Sequence, residues 1–146
     1  MKDRIEINLT INANADQVWQ MLTNPDLVKQ YMFGSTIHSD WTEGSSVVYT
    51  LPIEGKDVII VNGLIEEIKK PTRLHHTLFP TGADMEDIRE NYLDIIYSID
   101  EQDGVSELTI EQFGFSSVAN GEQRYNESVS GWDQLLAKMK EIAESV

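Results

Sequence analysis

The sequence contains no cysteine. Disulfides, thiolate nucleophiles and cysteine-ligated metals are therefore excluded. It is also poor in positive charge, with 11 lysines and arginines against 25 aspartates and glutamates and a formal net charge of −14. Nucleic-acid phosphates and anionic lipid surfaces both call for clustered cations, so neither partner is expected. No apolar run approaches the roughly 18 residues that a membrane span requires, so membrane insertion is not expected either. The opening stretch MKDRIEINLT places charges where a secretory signal needs its apolar core, which makes a cytoplasmic location the expectation. There is no glycine-rich phosphate loop, no dinucleotide fingerprint and no serine on a nucleophile elbow, so no cofactor is expected.

What the chain does have is enough apolar material, 40% of 146 residues, for one domain spanning residues 1–146. A chain of this length buries roughly 70% of its unfolded surface. The C-terminal stretch dominates the pattern. Val129, Trp132, Leu135, Leu136, Met139, Ile142, Ala143 and Val146 fall on one side of a helix at about 100° per residue, with Tyr125 and Val118 continuing that side upstream. The opposite side is polar except for Ala137. Ser116 or Ser117 is the expected cap, since a hydroxyl can accept an orphaned N–H.

The rest of the chain reads mostly as strands. Ile5, Ile7, Leu9 and Ile11 alternate with polar residues, the mark of a half-buried strand. Asn14 with Gln17 three residues on forms a capping box for a short helix whose inner side is Val18, Trp19 and Leu22. Asn24-Pro25 starts a second short helix carrying Leu27, Val28, Tyr31 and Met32 inward, and Gly34 is placed to end it in a left-handed conformation. Strands are expected over residues 36–41, 47–51, 58–68, 73–79, 92–99 and 105–115, with turns at Thr42-Glu43-Gly44, Glu54-Gly55-Lys56-Asp57 and Gln102-Asp103-Gly104. Pro80 to Arg89 reads as a polar, acidic loop and a mobile one. The order predicts an α+β domain in which a curved antiparallel sheet wraps a long C-terminal helix, with two short helices after the first strand plugging one end.

This order and several fragments resemble the helix-grip fold of the SRPBCC superfamily, which includes START domains and the birch-pollen allergen. Within it the chain is similar to the family of the heat-shock-protein-90 ATPase activator's C-terminal domain. The fragments are Ala15 to Thr23 with its Val18-Trp19 pair, Asp40-Trp41 with Gly44, Gly63 to Glu66 followed by Pro71, Leu74 and Thr77, and Gly131-Trp132 followed by Leu135 and Leu136. They cover about Ile7 to Lys140. Residues 80–91 look longer and more acidic than that pattern, and residues 118–126 depart from it. The family is functionally broad, so the resemblance speaks to fold more than to activity.

The resemblance implies a space between sheet and long helix. The residues expected to line it are Tyr31, Trp41, Tyr49, His76, Tyr97, Gln112, Trp132 and Leu136. Apolar walls with a few polar groups are the usual form of a small-molecule site. The alternative is a filled core with each polar tip bonded to backbone or water. Metal binding is not expected, because His75 and His76 point to opposite faces of a strand, His38 stands alone, and Asp84, Glu86, Asp87 and Glu90 lack calcium-loop spacing. The leading expectation is a non-catalytic module for a hydrophobic small molecule. The second is a co-chaperone-like or stress-regulatory domain contacting a chaperone or another protein. The third is a polyketide-cyclase-like enzyme, disfavoured because no nucleophile or acid–base pair can be assembled in one place.

Overall fold

The alternation of Ile5, Ile7, Leu9 and Ile11 becomes strand β1 (Arg4–Ile11), with Ile5 and Ile11 buried. The computed structural model describes residues 3–82 and 84–146. Asn14 caps α1 (Ala15–Thr23) with a reciprocal capping box to Gln17, and Asn24 caps α2 (Pro25–Tyr31) with Pro25 in its first turn. Both caps supply acceptors to N–H groups that have no partner in the first helical turn. Gly34 ends α2 at φ +80°. Then come β2 (Thr36–Ser39), β3 (Ser46–Ile53), β4 (Lys56–Lys69), β5 (Arg73–Pro80), a 3₁₀ turn (Arg89–Asn91), β6 (Leu93–Gln102), β7 (Val105–Phe113) and the long helix α3 (Gly121–Ser145).

The strands form one seven-stranded sheet in the order β1-β7-β6-β5-β4-β3-β2, antiparallel at every step. The register shifts on β4 twice, opposite Tyr49/Thr50 and again between Ile65 and Glu67. Such shifts bend a strand and increase its twist, which favours a concave side able to receive a helix. The main core fills that side. Val18, Trp19 and Met21 of α1 and Val28 and Tyr31 of α2 meet Leu135, Met139, Ile142 and Ala143 of α3 over Ile65, Leu74, Ile95, Leu108 and Ile110 of the sheet.

Several boundaries and one side-chain placement differ from the pattern reading; Lys56 and Asp57, expected in a turn, open β4, and Gln102 closes β6. Helix α3 starts at Gly121, after a left-handed Asn120 that gives no side-chain cap, rather than at Ser116 or Ser117. Both the N–H and the hydroxyl of Ser116 are donated to Asp3 Oδ1, at 2.8 and 2.6 Å, and the Ala119 N–H goes to Asn91 Oδ1. The lead-in is thereby tied to the chain start and to the 3₁₀ turn, with Phe115 fully buried beneath it. Strand β2 stops at Ser39 because the Ser39 hydroxyl accepts the Trp41 N–H and Trp41 adopts φ +55°. Val129, placed by periodicity on the apolar side of α3, is 37% exposed. The inward stripe runs through Ser128 and Gly131 instead, as described next. Of the acidic loop expected over Pro80 to Arg89, Pro80 belongs to β5 and Ala83 lies outside the described residues.

Candidate functional site

Helix α3 presents Ser128, Gly131, Trp132 and Leu135 to the sheet, at spacings of three, four and seven residues. That spacing puts all four on one helical stripe. Opposite them, five neighbouring strands contribute Tyr49 (β3), Val61 (β4), His76 and Leu78 (β5), Ile95 and Tyr97 (β6) and Gln112 (β7), with Met32 closing the side next to α2. The register brings His76, Ile95 and Gln112 into one row, and Tyr49 directly opposite Val61. Between helix and sheet these groups enclose a partly open cavity of about 180 Å³.

The polar groups in this apolar cavity are held in defined states. The Trp132 Nε1–H donates to Gln112 Oε1 at 2.9 Å. An indole nitrogen can only donate, so this bond also fixes which end of the Gln112 amide is which and leaves its NH₂ toward the cavity. His76 Nδ1 lies 2.9 Å from the Thr77 carbonyl, which can only accept, so the ring proton sits on Nδ1 and Nε2 offers a lone pair. Burial lowers the His76 pKa from 6.5 to about 4, so the ring is neutral at pH 7. Burial likewise raises the hydroxyl pKa of Tyr49 and of Tyr97 far above neutrality. Tyr97 has its ring centroid 6.2 Å from that of His76 and meets Trp132 edge-on at 6.5 Å. Among the described residues the Tyr49 and Tyr97 hydroxyls, His76 Nε2 and the Gln112 NH₂ have no hydrogen-bond partner, and none of these atoms is sealed from the cavity.

The cavity unites Tyr49, His76, Tyr97, Gln112 and Trp132. The other three candidates lie apart from it. Tyr31 is buried, but its hydroxyl is donated to the Met21 carbonyl at 3.0 Å, tying α2 to α1. Leu136 packs against the main core, one helical step round from the cavity stripe. Trp41 lines two shallow surface recesses, one with Pro25 and His38 and the other with Trp19 and Lys70, because its left-handed backbone takes it out of the strand alternation. Sequence reasoning missed Ser128 and the role of Gly131, whose signal was there to find: a glycine inside an amphipathic helix, where alanine is favoured by about 1 kcal/mol. A Cβ built on Gly131 meets nothing within 4 Å, so packing does not require glycine there. The missing side chain leaves the cavity roof open.

On the opposite face of the sheet His75 pairs with Asp94 at 3.0 Å, and Arg89 approaches the same carboxylate at 3.4 Å. The two adjacent histidines thus serve different faces. Among the described residues no three histidine, aspartate or glutamate side chains gather as a metal site would require. Among the described residues no helix is long and apolar enough to cross a membrane.

The sequence profile of the family described as "Activator of Hsp90 ATPase homolog 1-like protein" matches residues 12–144. The chain belongs to this family, a member of the SRPBCC superfamily. Solved structures agree with a helix-grip fold for this member of the Hsp90-activator-like family. A protein of Cytophaga hutchinsonii is 28% identical, with 99% of this chain and 97% of that one covered at a TM-score of 0.76. An HSP90 activator from Plasmodium falciparum is 14% identical, with coverages of 93% and 91% and a TM-score of 0.71. CalU16 from Micromonospora echinospora is 18% identical, with coverages of 96% and 75% and a TM-score of 0.71. No curated protein sequence matches the chain.

Proposed function

We propose that this protein is a non-catalytic module that binds a small, largely apolar molecule in the cavity beneath α3. One observation carries the reading. Four polar groups, on Tyr49, His76, Tyr97 and Gln112, reach an apolar cavity with no partner of their own among the described residues. A ligand with a polar end would satisfy them while its apolar part displaces water. The protonation states favour binding over catalysis. General acids and bases work best with pKa values near the operating pH, whereas burial drives the tyrosines up and His76 down to about 4, away from it. The test is Gly131→Leu. Its side chain starts in open space, suits a helix and projects from the cavity roof. The variant should fold with undiminished stability and lose ligand binding in calorimetry or a thermal-shift screen. A ligand bound equally by parent and variant would remove the cavity as its site.

A second reading, contact with a chaperone-class protein, is favoured by a different surface. At the tip of the β3–β4 hairpin Ile53, Val58 and Ile59 are exposed, with Leu51 paired to Val58. Exposed apolar clusters of this kind mark interaction sites. Ile53→Asp with Ile59→Asp should leave the melting temperature unchanged and abolish binding to purified heat-shock-protein-90 in direct titration. Retained binding would rule the hairpin tip out as the docking surface.

A further inference from the structure

We infer that the cavity selects an uncharged, single-ring aromatic molecule carrying a hydroxyl or carbonyl group. This deepens the ligand-binding reading above and rests on it. Size comes first. At about 180 Å³ the space is close to the roughly 150 Å³ that holds one benzene and below the roughly 300–1,000 Å³ of drug-sized ligand sites. One ring with two or three further heavy atoms fits; a sterol, a flavonoid or a long fatty acid does not.

Wall chemistry comes next. Tyr49, His76, Tyr97 and Trp132 supply aromatic surface from both sheet and helix, against which an incoming ring can pack offset or edge-on. The polar groups supply both functions a neutral oxygen needs. The Gln112 NH₂ donates only and His76 Nε2 accepts only, while the two tyrosine hydroxyls can do either. The rows of the sheet place His76 and Gln112 two strands apart, roughly 10 Å between backbones at the usual spacing. A ring therefore lies between them with its polar substituent able to reach one or the other.

Charge decides the remainder. Among the described residues no lysine, arginine, aspartate or glutamate lines the cavity, and its histidine is held neutral. A carboxylate or ammonium group would enter without a counter-ion, and burying an unpaired charge is far more costly than burying a hydroxyl or amide that finds hydrogen bonds. The net charge of −14 on the chain as a whole opposes anions further.

The experiment titrates the full chain at pH 7 with para-cresol, toluene, benzamide, benzoate, benzylamine and, as a larger probe, naringenin. Calorimetry gives the affinities, and the Trp132 Nε1–H resonance reports occupancy beside Gln112. Para-cresol and benzamide should bind and move that resonance. Benzoate and benzylamine should bind at least about tenfold more weakly than benzamide. Toluene should bind about fivefold more weakly than para-cresol, in line with one net hydrogen bond. Gly131→Leu should lose all of them. Benzoate or benzylamine binding as tightly as benzamide, with the binding lost in Gly131→Leu, would overturn the selection for neutral ligands and leave the cavity itself standing. Naringenin binding where single rings fail would overturn the single-ring inference and leave the ligand-binding reading standing. Failure of every probe to bind would overturn both this inference and the ligand-binding reading.

Discussion

Trp132 on α3 donates its indole N–H to Gln112 on β7, 2.9 Å away, and this bond joins the long helix to the sheet one strand in from its β1 edge, at the wall of the cavity. Trp132 is only half-buried, so truncation should cost about 3 kcal/mol, the low end for a large aromatic. Trp132→Phe keeps most of the apolar contact and should cost about 1–2 kcal/mol by leaving the Gln112 carbonyl without its donor. In a Gln112→Leu background the same change should cost about 1 kcal/mol less. Urea unfolding of the four proteins in this cycle measures the coupling; strict additivity would show that the bond contributes nothing.

Two glycines should respond in opposite directions to the same substitution. Gly131 has open space above its Cα, so Gly131→Ala should stabilise by up to about 1 kcal/mol through helix propensity. At Gly63 a Cβ would lie 1.9 Å from the Thr77 carbonyl oxygen, and the obstacle is backbone of the neighbouring strand. Gly63→Ala should destabilise by about 3 kcal/mol or more, because β4 and β5 must move apart. Thermal unfolding of the two variants side by side is sufficient, and a neutral Gly63→Ala would contradict the close strand approach.

His76 makes stability depend on pH in a defined window. Its pKa is 6.5 when exposed and about 4 in the folded protein, so between these values the unfolded chain binds the extra proton. Stability then rises with pH across that range; it is complete above about 6.5 and lost as pH falls through 4. The full contribution is on the order of 3 kcal/mol. Glu67 and Glu144, whose pKa values are lowered by hydrogen bonds from Arg73 and Lys140, lose stability at still more acid pH. Comparing urea midpoints of the parent and His76→Leu at pH 7 and pH 5 isolates the histidine. The parent should weaken between these values and the variant should hardly change; parallel losses would place the titration elsewhere.

Asn14 accepts the Gln17 N–H at 2.9 Å while Gln17 returns a bond to the Asn14 N–H. Asn14→Ala should cost about 1 kcal/mol, and Asn14→Gly less. Equilibrium denaturation checks both, with equal costs for the two changes pointing away from a capping role.

The local elements of this protein were determined by local chemistry that a sequence displays. Strand alternation in β1, the paired caps of Asn14 and Asn24, the left-handed Gly34 and the amphipathic stretch after Gly131 each depend on neighbours within a few residues, and each is present. Their order, with hairpins dominating, was enough for the helix-grip architecture. Long-range bonding decided what the pattern could not. Ser116 has the chemistry of a cap, but Asp3, 113 residues away, takes both its donors, so α3 begins later. Periodicity set Val129 inward, yet the cavity claims the adjacent stripe of Ser128 and Gly131. Tyr31 and Tyr49 look alike in sequence; only the tertiary structure gives one hydroxyl the Met21 carbonyl and leaves the other facing the cavity. Composition specifies which polar groups are carried into the interior, whereas register and helix rotation determine which of them find partners there. The unpartnered groups are what make the space beneath α3 a candidate site.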